Sequence, residues 1–305
     1  MYKKISEERS TVRDASSWPR VDSPGSPNFQ RYLVQEKLVE TQLSEIYGAV
    51  DKASGRDVVI KRSSKKADLL EECNKYIYRE AVALSQLDDA HIVRLLDYGV
   101  SGETNFLVLE HLPGITLYQR LEMGIINPRL AKSLFSELCD ALQVIHDNNL
   151  VHCDITPGNV FLTFPFHKII DFGLVKFTNA PDRDVARKPD GVLMGTFNYM
   201  APEQALDHEI DHRTDIFAFG VLMYRTLTGY SPFEGEGMEI LLNILQKDPK
   251  PLDDAPQRIP KYMRKAIMKA LEKNPADRFQ SAAEMKAALK GYEKTKSSSS
   301  STFEQ

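Results

Sequence analysis

Cysteine is scarce in this sequence. The three present, Cys73, Cys139 and Cys153, are odd in number and follow no spacing pattern. That argues against a disulfide framework or a zinc site and fits a reducing compartment, so a cytoplasmic protein is expected. An excess of one charge is lacking too: the formal net charge is −4, with acids and bases interspersed. Such a balance implies no basic face, and no nucleic-acid partner is expected. No apolar run approaches the roughly 20 residues needed to cross a bilayer, so no membrane span is expected. The opening Met1-Tyr2-Lys3-Lys4-Ile5 is not followed by the apolar stretch of a secretory signal. Tryptophan occurs once, as Trp18.

What is there suffices for a substantial core. The 305 residues are 42% hydrophobic, enough for one large domain or two lobes. Residues 1–29 are polar and broken by Pro19, Pro24, Gly25 and Pro27. They read as a disordered arm, or as one that docks on the folded domain through Trp18. Residues 293–305 hold the run Ser297 to Ser301 and read as a disordered tail.

Between these ends, residues 30–292 change character once. Short alternating runs at Tyr32–Leu38, Ile46–Asp51, Asp57–Lys61, Ile92–Tyr98 and Phe106–Glu110 predict an antiparallel sheet. One helix interrupts it over about 69–87, with Tyr76, Glu80, Ala83, Leu84 and Leu87 on one face. After Pro113-Gly114 the periodicity is helical. A long helix is expected after Pro128 with the stripe Leu130, Leu134, Leu138, Leu142 and Ile145, and others over 215–228, 236–246, 260–272 and 281–292. The fold class is α+β: a small β-rich lobe with one main helix (30–112), a larger α-helical lobe (113–292), and a ligand cleft between them.

The chemistry-bearing residues fall in a fixed order. Lys61 ends the apolar run Val58-Val59-Ile60, and Glu80 lies on the inward face of the following helix, where it can pair with that lysine. Next comes His152-Cys153-Asp154-Ile155-Thr156-Pro157-Gly158-Asn159, and twelve residues later Asp171-Phe172-Gly173. Asp154 is suited to orient a hydroxyl. Asn159 and Asp171 supply the hard oxygen donors that Mg²⁺ prefers. An Asp-Phe-Gly triplet alone arises by chance; one preceded by all the other parts in order does not.

This set resembles the eukaryotic-like protein kinase family, and bacterial Ser/Thr kinases in particular. Asn274-Pro275-Ala276-Asp277-Arg278 and the residues after it are especially similar to the bacterial members. Gly195-Thr196 with Ala201-Pro202-Glu203 resembles the segment that receives the substrate, and Asp215 to Gly220 the start of the central large-lobe helix. The resemblance implies a two-lobed protein kinase fold, ATP with Mg²⁺ (or Mn²⁺) as cofactors, protein Ser/Thr hydroxyls as substrates, and a buried Glu203–Arg278 ion pair. It implies Lys61, Glu80, Asp154 and Asn159 as catalytic residues and Asn159 and Asp171 as metal ligands. By the same resemblance the Glu110 carbonyl and Leu112 amide would hold adenine, among Val39, Ile46, Val59, the gatekeeper Leu109 and the floor Phe161. Autophosphorylation is envisaged at Ser23, Ser26 or the tail serines.

Glycine is missing where the family's phosphate-covering loop needs it. Val39, Thr41 and Ser44 occupy the three positions, which predicts a more regular hairpin with a weaker phosphate grip. Glu40 and Glu45 add acid nearby. Thr156 replaces a lysine that would meet the γ-phosphate, and Cys153 replaces the arginine that receives an activation-loop phosphate. Between Leu174 and Met200 the hydroxyls are Thr178, Thr196 and Tyr199, with no serine. Activity independent of loop phosphorylation is therefore expected. The alternative is a pseudokinase scaffold with little or no turnover; a small-molecule phosphotransferase stands against the Ala201-Pro202-Glu203 platform.

Overall fold

The computed structural model describes residues 31–65, 69–179 and 197–291. The arm with Trp18, Ser23 and Ser26, the serine tail and Gly195-Thr196 lie outside the described residues. Five antiparallel strands form one sheet: β1 (Tyr32–Glu40), β2 (Ser44–Asp51), β3 (Arg56–Ser63), β4 (Leu95–Ser101) and β5 (Thr104–Glu110), in the order β1-β2-β3-β5-β4. Two-residue periodicity sorts the side chains. Val58 and Ile60 of β3 pack with Tyr47, Ala49, Phe106 and Val108 in a small core on one face. Val59 and Lys61, which alternate with them in sequence, turn to the other face.

The fourth strand begins three residues later than the sequence pattern suggests. Ile92 instead forms a parallel bridge with Ile169, and the Val93 amide donates to the Ile169 carbonyl at 3.0 Å. The apolar run is spent on joining the lobes, which local alternation cannot reveal.

Between β3 and β4 lies α1 (Leu70–Leu84), which buries Cys73, Ile77, Glu80, Ala81 and Leu84. Asn74 pins it to the sheet. Its side-chain oxygen accepts from Ser63 Oγ (2.7 Å) and the Asn105 amide (2.8 Å), while its Nδ2 donates to the Glu103 carbonyl (2.7 Å). With the helix fixed in azimuth, Glu80 faces the sheet.

The chain crosses to the second lobe at Gly114. A side chain there would meet the Leu162 carbonyl oxygen at 2.1 Å, and φ is +147°, so only glycine allows the approach. It lets β6 (Gly114–Thr116) pair with β8 (Val160–Thr163), which pairs in turn with β9 (Lys168–Ile169). α2 (Leu117–Glu122) and α3 (Pro128–Asp147) follow β6. α3 is capped by Asn127, whose side chain accepts from the Arg129 and Leu130 amides. Leu130 corrects the expected stripe: it is 58% exposed, and Ala131, Leu134, Phe135 and Leu138 face inward. Each four-residue step overshoots a 3.6-residue turn, so a strict i+4 run winds off the buried face.

β7 (Leu150–Val151) pairs with β10 (Lys176–Phe177), enclosing residues 152–175. The remaining helices are α4 (Pro202–Ala205), α5 (His212–Thr228), α6 (Met238–Gln246), α7 (Lys261–Ala270) and α8 (Ala282–Lys290). α5 is capped by Asp211, is buried along nearly its whole length and forms the centre of the lobe. One continuous core runs from Ile77 and Leu107 through Phe172 to Phe217 and Met285. The architecture is α+β with two lobes, as expected.

Candidate active site

A cavity of about 460 Å³ lies between the lobes, a size suited to a small ligand. Val39, Ile46, Val59, Leu109 and Glu110 reach it from the sheet, Leu112 from the connecting segment, and Phe161 from β8. Lys61, Glu80, Asn159 and Asp171 line the same cavity. Val39 and Asp171, 132 positions apart in sequence, thus line one cavity. Asp154 is not part of this lining; it sits beside Asn159, whose Nδ2 donates to Asp154 Oδ2 at 3.0 Å and to the Asp154 carbonyl at 2.8 Å.

At the polar end one ammonium serves two carboxylates. Lys61 Nζ lies 2.7 Å from Glu80 Oε2 and 2.8 Å from Asp171 Oδ1. Burial opposes charge on all three. It pushes Glu80 up to about 7 because Lys61 is shared with Asp171. Burial also acts upward on Asp171, but its contact with Lys61 and its hydrogen bonds hold it down at about 2. Lys61 is desolvated by burial, yet Asp171 and Glu80 raise its pKa and keep it cationic. The trio therefore titrates as a unit, with burial raising the Glu80 carboxyl.

The stretch that begins at His152 is held by α5. Asp215 accepts the His152 amide (2.8 Å), the Cys153 amide (2.8 Å) and His146 Nε2 (2.9 Å). The His152 ring packs edge-on to Phe172, centroids 4.8 Å apart, which ties this stretch to Asp171-Phe172-Gly173. Among the described residues, Asn159 Oδ1 and Asp171 Oδ2 make no hydrogen bond. Two unspent oxygen donors on one cavity fit Mg²⁺, which binds through one or two protein oxygens and completes its shell with phosphate and water. The described residues contain no group of three or more His, Cys, Asp or Glu that would form an all-protein cage.

The glycine-free loop is a tied hairpin. The Thr41 amide donates to the Ser44 carbonyl at 2.8 Å, and Thr41 Oγ1 accepts the Ser44 amide at 2.9 Å. Leu43 is buried, and its carbonyl accepts the Ser64 amide at 2.9 Å. The two nearby acids are neutralised. Lys37 Nζ lies 2.7 Å from Glu40 and 2.8 Å from Glu45, and Arg62 also pairs with Glu45. Burial acts upward on Glu45, but Lys37 and Arg62 hold it below the usual carboxylate range.

Around Cys153 the polar groups are already spent. Burial, then Asp215, push its thiol well above the ordinary value. Lys176 donates to the Ile210 carbonyl at 2.9 Å. Thr178 Oγ1 donates to the Asn149 carbonyl at 3.1 Å, and the Tyr199 hydroxyl accepts from Arg225 at 2.9 Å. Gln204 links the Ala201-Pro202-Glu203 segment to this region by donating to the Cys153 carbonyl at 3.2 Å.

Two residues near the site escape sequence reasoning. Lys37 is an ordinary strand lysine until β1 pairs with β2. Tyr76 is legible only as a member of the inward helix face, yet its hydroxyl donates to Asp171 Oδ1 at 2.5 Å.

Residues 32–289 match the family model described as protein kinase domain. Serine/threonine-protein kinase pkn2 of Myxococcus xanthus is 34% identical over 266 residues, 85% of this chain and 32% of that protein. Probable serine/threonine-protein kinase PknB of Corynebacterium glutamicum is 32% identical over 272 residues, 85% of this chain and 42% of that protein. Serine/threonine-protein kinase PknB of Mycobacterium tuberculosis is 31% identical over 268 residues, with the same two coverages, 85% and 42%. The chain thus spans less than half the length of these relatives.

Proposed function

Because the chain belongs to the protein kinase family, we propose that it transfers the γ-phosphoryl group of ATP to Ser/Thr hydroxyls of proteins. The observation that carries this reading is the convergence of Lys61, Glu80, Asn159 and Asp171 on one ligand-sized cavity, with Asp154 at its edge. The relatives' names support the Ser/Thr class. Phosphoryl transfer asks the protein for positioning and charge compensation. Lys61, aimed by Glu80, would meet the α- and β-phosphates. Asn159 and Asp171 would hold Mg²⁺, which supplies positive charge to the phosphates. Asp154 would orient the acceptor hydroxyl, while Val39, Ile46, Val59, Leu109 and Phe161 enclose adenine against the Glu110 carbonyl and Leu112 amide.

Two finer features belong to the same reading. Activity does not await activation-loop phosphorylation, because Cys153 carries no charge and Lys176 is already engaged by Ile210. Phosphate is held less tightly than in a glycine-bearing loop, since the Thr41–Ser44 turn is closed by its own hydrogen bonds and Thr156 brings no cation. The closed hairpin is also what favours the second reading, a nucleotide-binding scaffold with little turnover. No helix among the described residues is long and apolar enough to cross a membrane.

Incubation with labelled Mg·ATP and a Ser/Thr protein substrate, followed by phosphopeptide mapping that covers Ser23, Ser26 and the tail serines, tests the proposal. Wild type is expected to label and Asp171→Asn is not. Stabilisation by Mg·ATP without any labelling would establish the scaffold instead.

A further inference from the structure

We propose that Tyr76 is a positioning residue for Asp171, fixing the carboxylate so that one oxygen is presented to the metal; this rests on the kinase reading. Three donors converge on Asp171 Oδ1: Tyr76 OH at 2.5 Å, Lys61 Nζ at 2.8 Å and the Gly173 amide at 3.2 Å. Among the described residues Oδ2 has no donor. A carboxylate offers two oxygens and about four lone-pair sites. Saturating one oxygen from three directions fixes the plane of the group and leaves the other for a cation.

The phenol has little freedom to do anything else. Its ring packs by its hydroxyl-bearing end against Gly173, where a Cβ would come within 2.0 Å of Tyr76 Cζ. On another side the Lys61 ammonium stands 4.8 Å from the ring centroid. The neutral phenol is a donor in its ordinary form. Tyr76 stands one helical turn before Glu80 on α1. The same helix face thus orients both partners of the ammonium–carboxylate pair: Glu80 takes Lys61, and Tyr76 takes Asp171. Movement of α1 would release both together, so the metal ligand reports the position of the helix.

Hydrogen-bond partners of metal-binding carboxylates typically contribute about 10–100-fold in metal affinity or activity when removed. Tyr76→Phe keeps the ring against Gly173 and Lys61 and deletes only the hydroxyl. In the full chain, Mn²⁺ binding measured by electron paramagnetic resonance in the presence of ADP should weaken about tenfold. ADP affinity in EDTA should stay at the wild-type value, and far-UV circular dichroism should show the variant folded. In parallel, the Mg²⁺ concentration for half-maximal labelling should rise by the same factor while KM for ATP at saturating Mg²⁺ does not. Equal or tighter Mn²⁺ binding by Tyr76→Phe overturns the proposal; tighter binding would make Tyr76 a pin that withholds Asp171. If wild type shows no ADP-dependent Mn²⁺ binding, the kinase reading itself fails and the proposal falls with it.

Discussion

Arg278 closes on Glu203 across 75 residues of sequence, with its two terminal nitrogens 2.7 and 2.8 Å from the two carboxylate oxygens. The remaining donors are spent as well, on the Glu272, Lys273 and Arg213 carbonyls at 2.8–2.9 Å. Thr214 adds a 2.7 Å hydrogen bond to Glu203, and the guanidinium lies over the Phe217 ring. Removing one partner strands a buried charge. Arg278→Met is therefore expected to lose about 3–5 kcal/mol in urea unfolding, as for other broken buried pairs. A loss under about 1 kcal/mol would show that water reaches Glu203 in the variant.

Glu80 sets an expected pH dependence. Its folded pKa is raised from an ordinary 4.5 to about 7. A raised carboxyl favours folding below its unfolded value, and that contribution is lost as pH rises through the folded value. The melting temperature of the metal-free protein should fall between pH 5 and 8 (a range about these two values) more steeply for wild type than for Glu80→Gln. Labelling should run the other way, rising through neutrality, because Lys61 is aimed by the ionised carboxylate. Parallel melting curves for the two proteins would contradict the assignment to Glu80.

Lys37 pairs with two acids, Glu40 and Glu45, beside Tyr47 on the sheet face opposite the cavity. Lys37→Met leaves Glu40 without its partner and Glu45 with Arg62 alone. The KM for ATP should rise roughly two- to fivefold at low ionic strength, with kcat unchanged, and the effect should shrink in high salt. A fall in kcat at unchanged KM would show that the network acts on hairpin geometry and not on charge.

Thr178 tests independence from loop phosphorylation. Its side chain is exposed and makes one hydrogen bond, to Asn149, so Thr178→Ala should change stability by about 0.5 kcal/mol or less. Protein purified from cells should label substrate at the wild-type rate. Loss of labelling in a folded variant would mean that a phosphate on this loop is required after all.

Much of the molecule was legible from sequence because its signals are local. The alternation of β3 and the helical periodicity of α3 depend on residues within one or two turns of each other. The ordered appearance of Lys61, Glu80, Asp154, Asn159 and Asp171 is likewise a linear signal. Leu130 failed because an i+4 run looks apolar without saying which residue leaves the face first. The start of β4 failed because Ile92 is claimed by Ile169, a partner 77 positions away.

By itself, then, the sequence determined the α+β architecture and the identity of the polar groups suited to phosphoryl transfer. It also marked the loss of glycine at Val39, Thr41 and Ser44. What only the tertiary structure decided is how those groups are spent. The register of β1 on β2 brings Lys37 to Glu45, and the azimuth of α1, fixed by Asn74, brings Tyr76 to Asp171. Hydrogen bonds form over about 3 Å, whereas one helical turn spans about 5 Å, so small rotations of packed elements choose the partners.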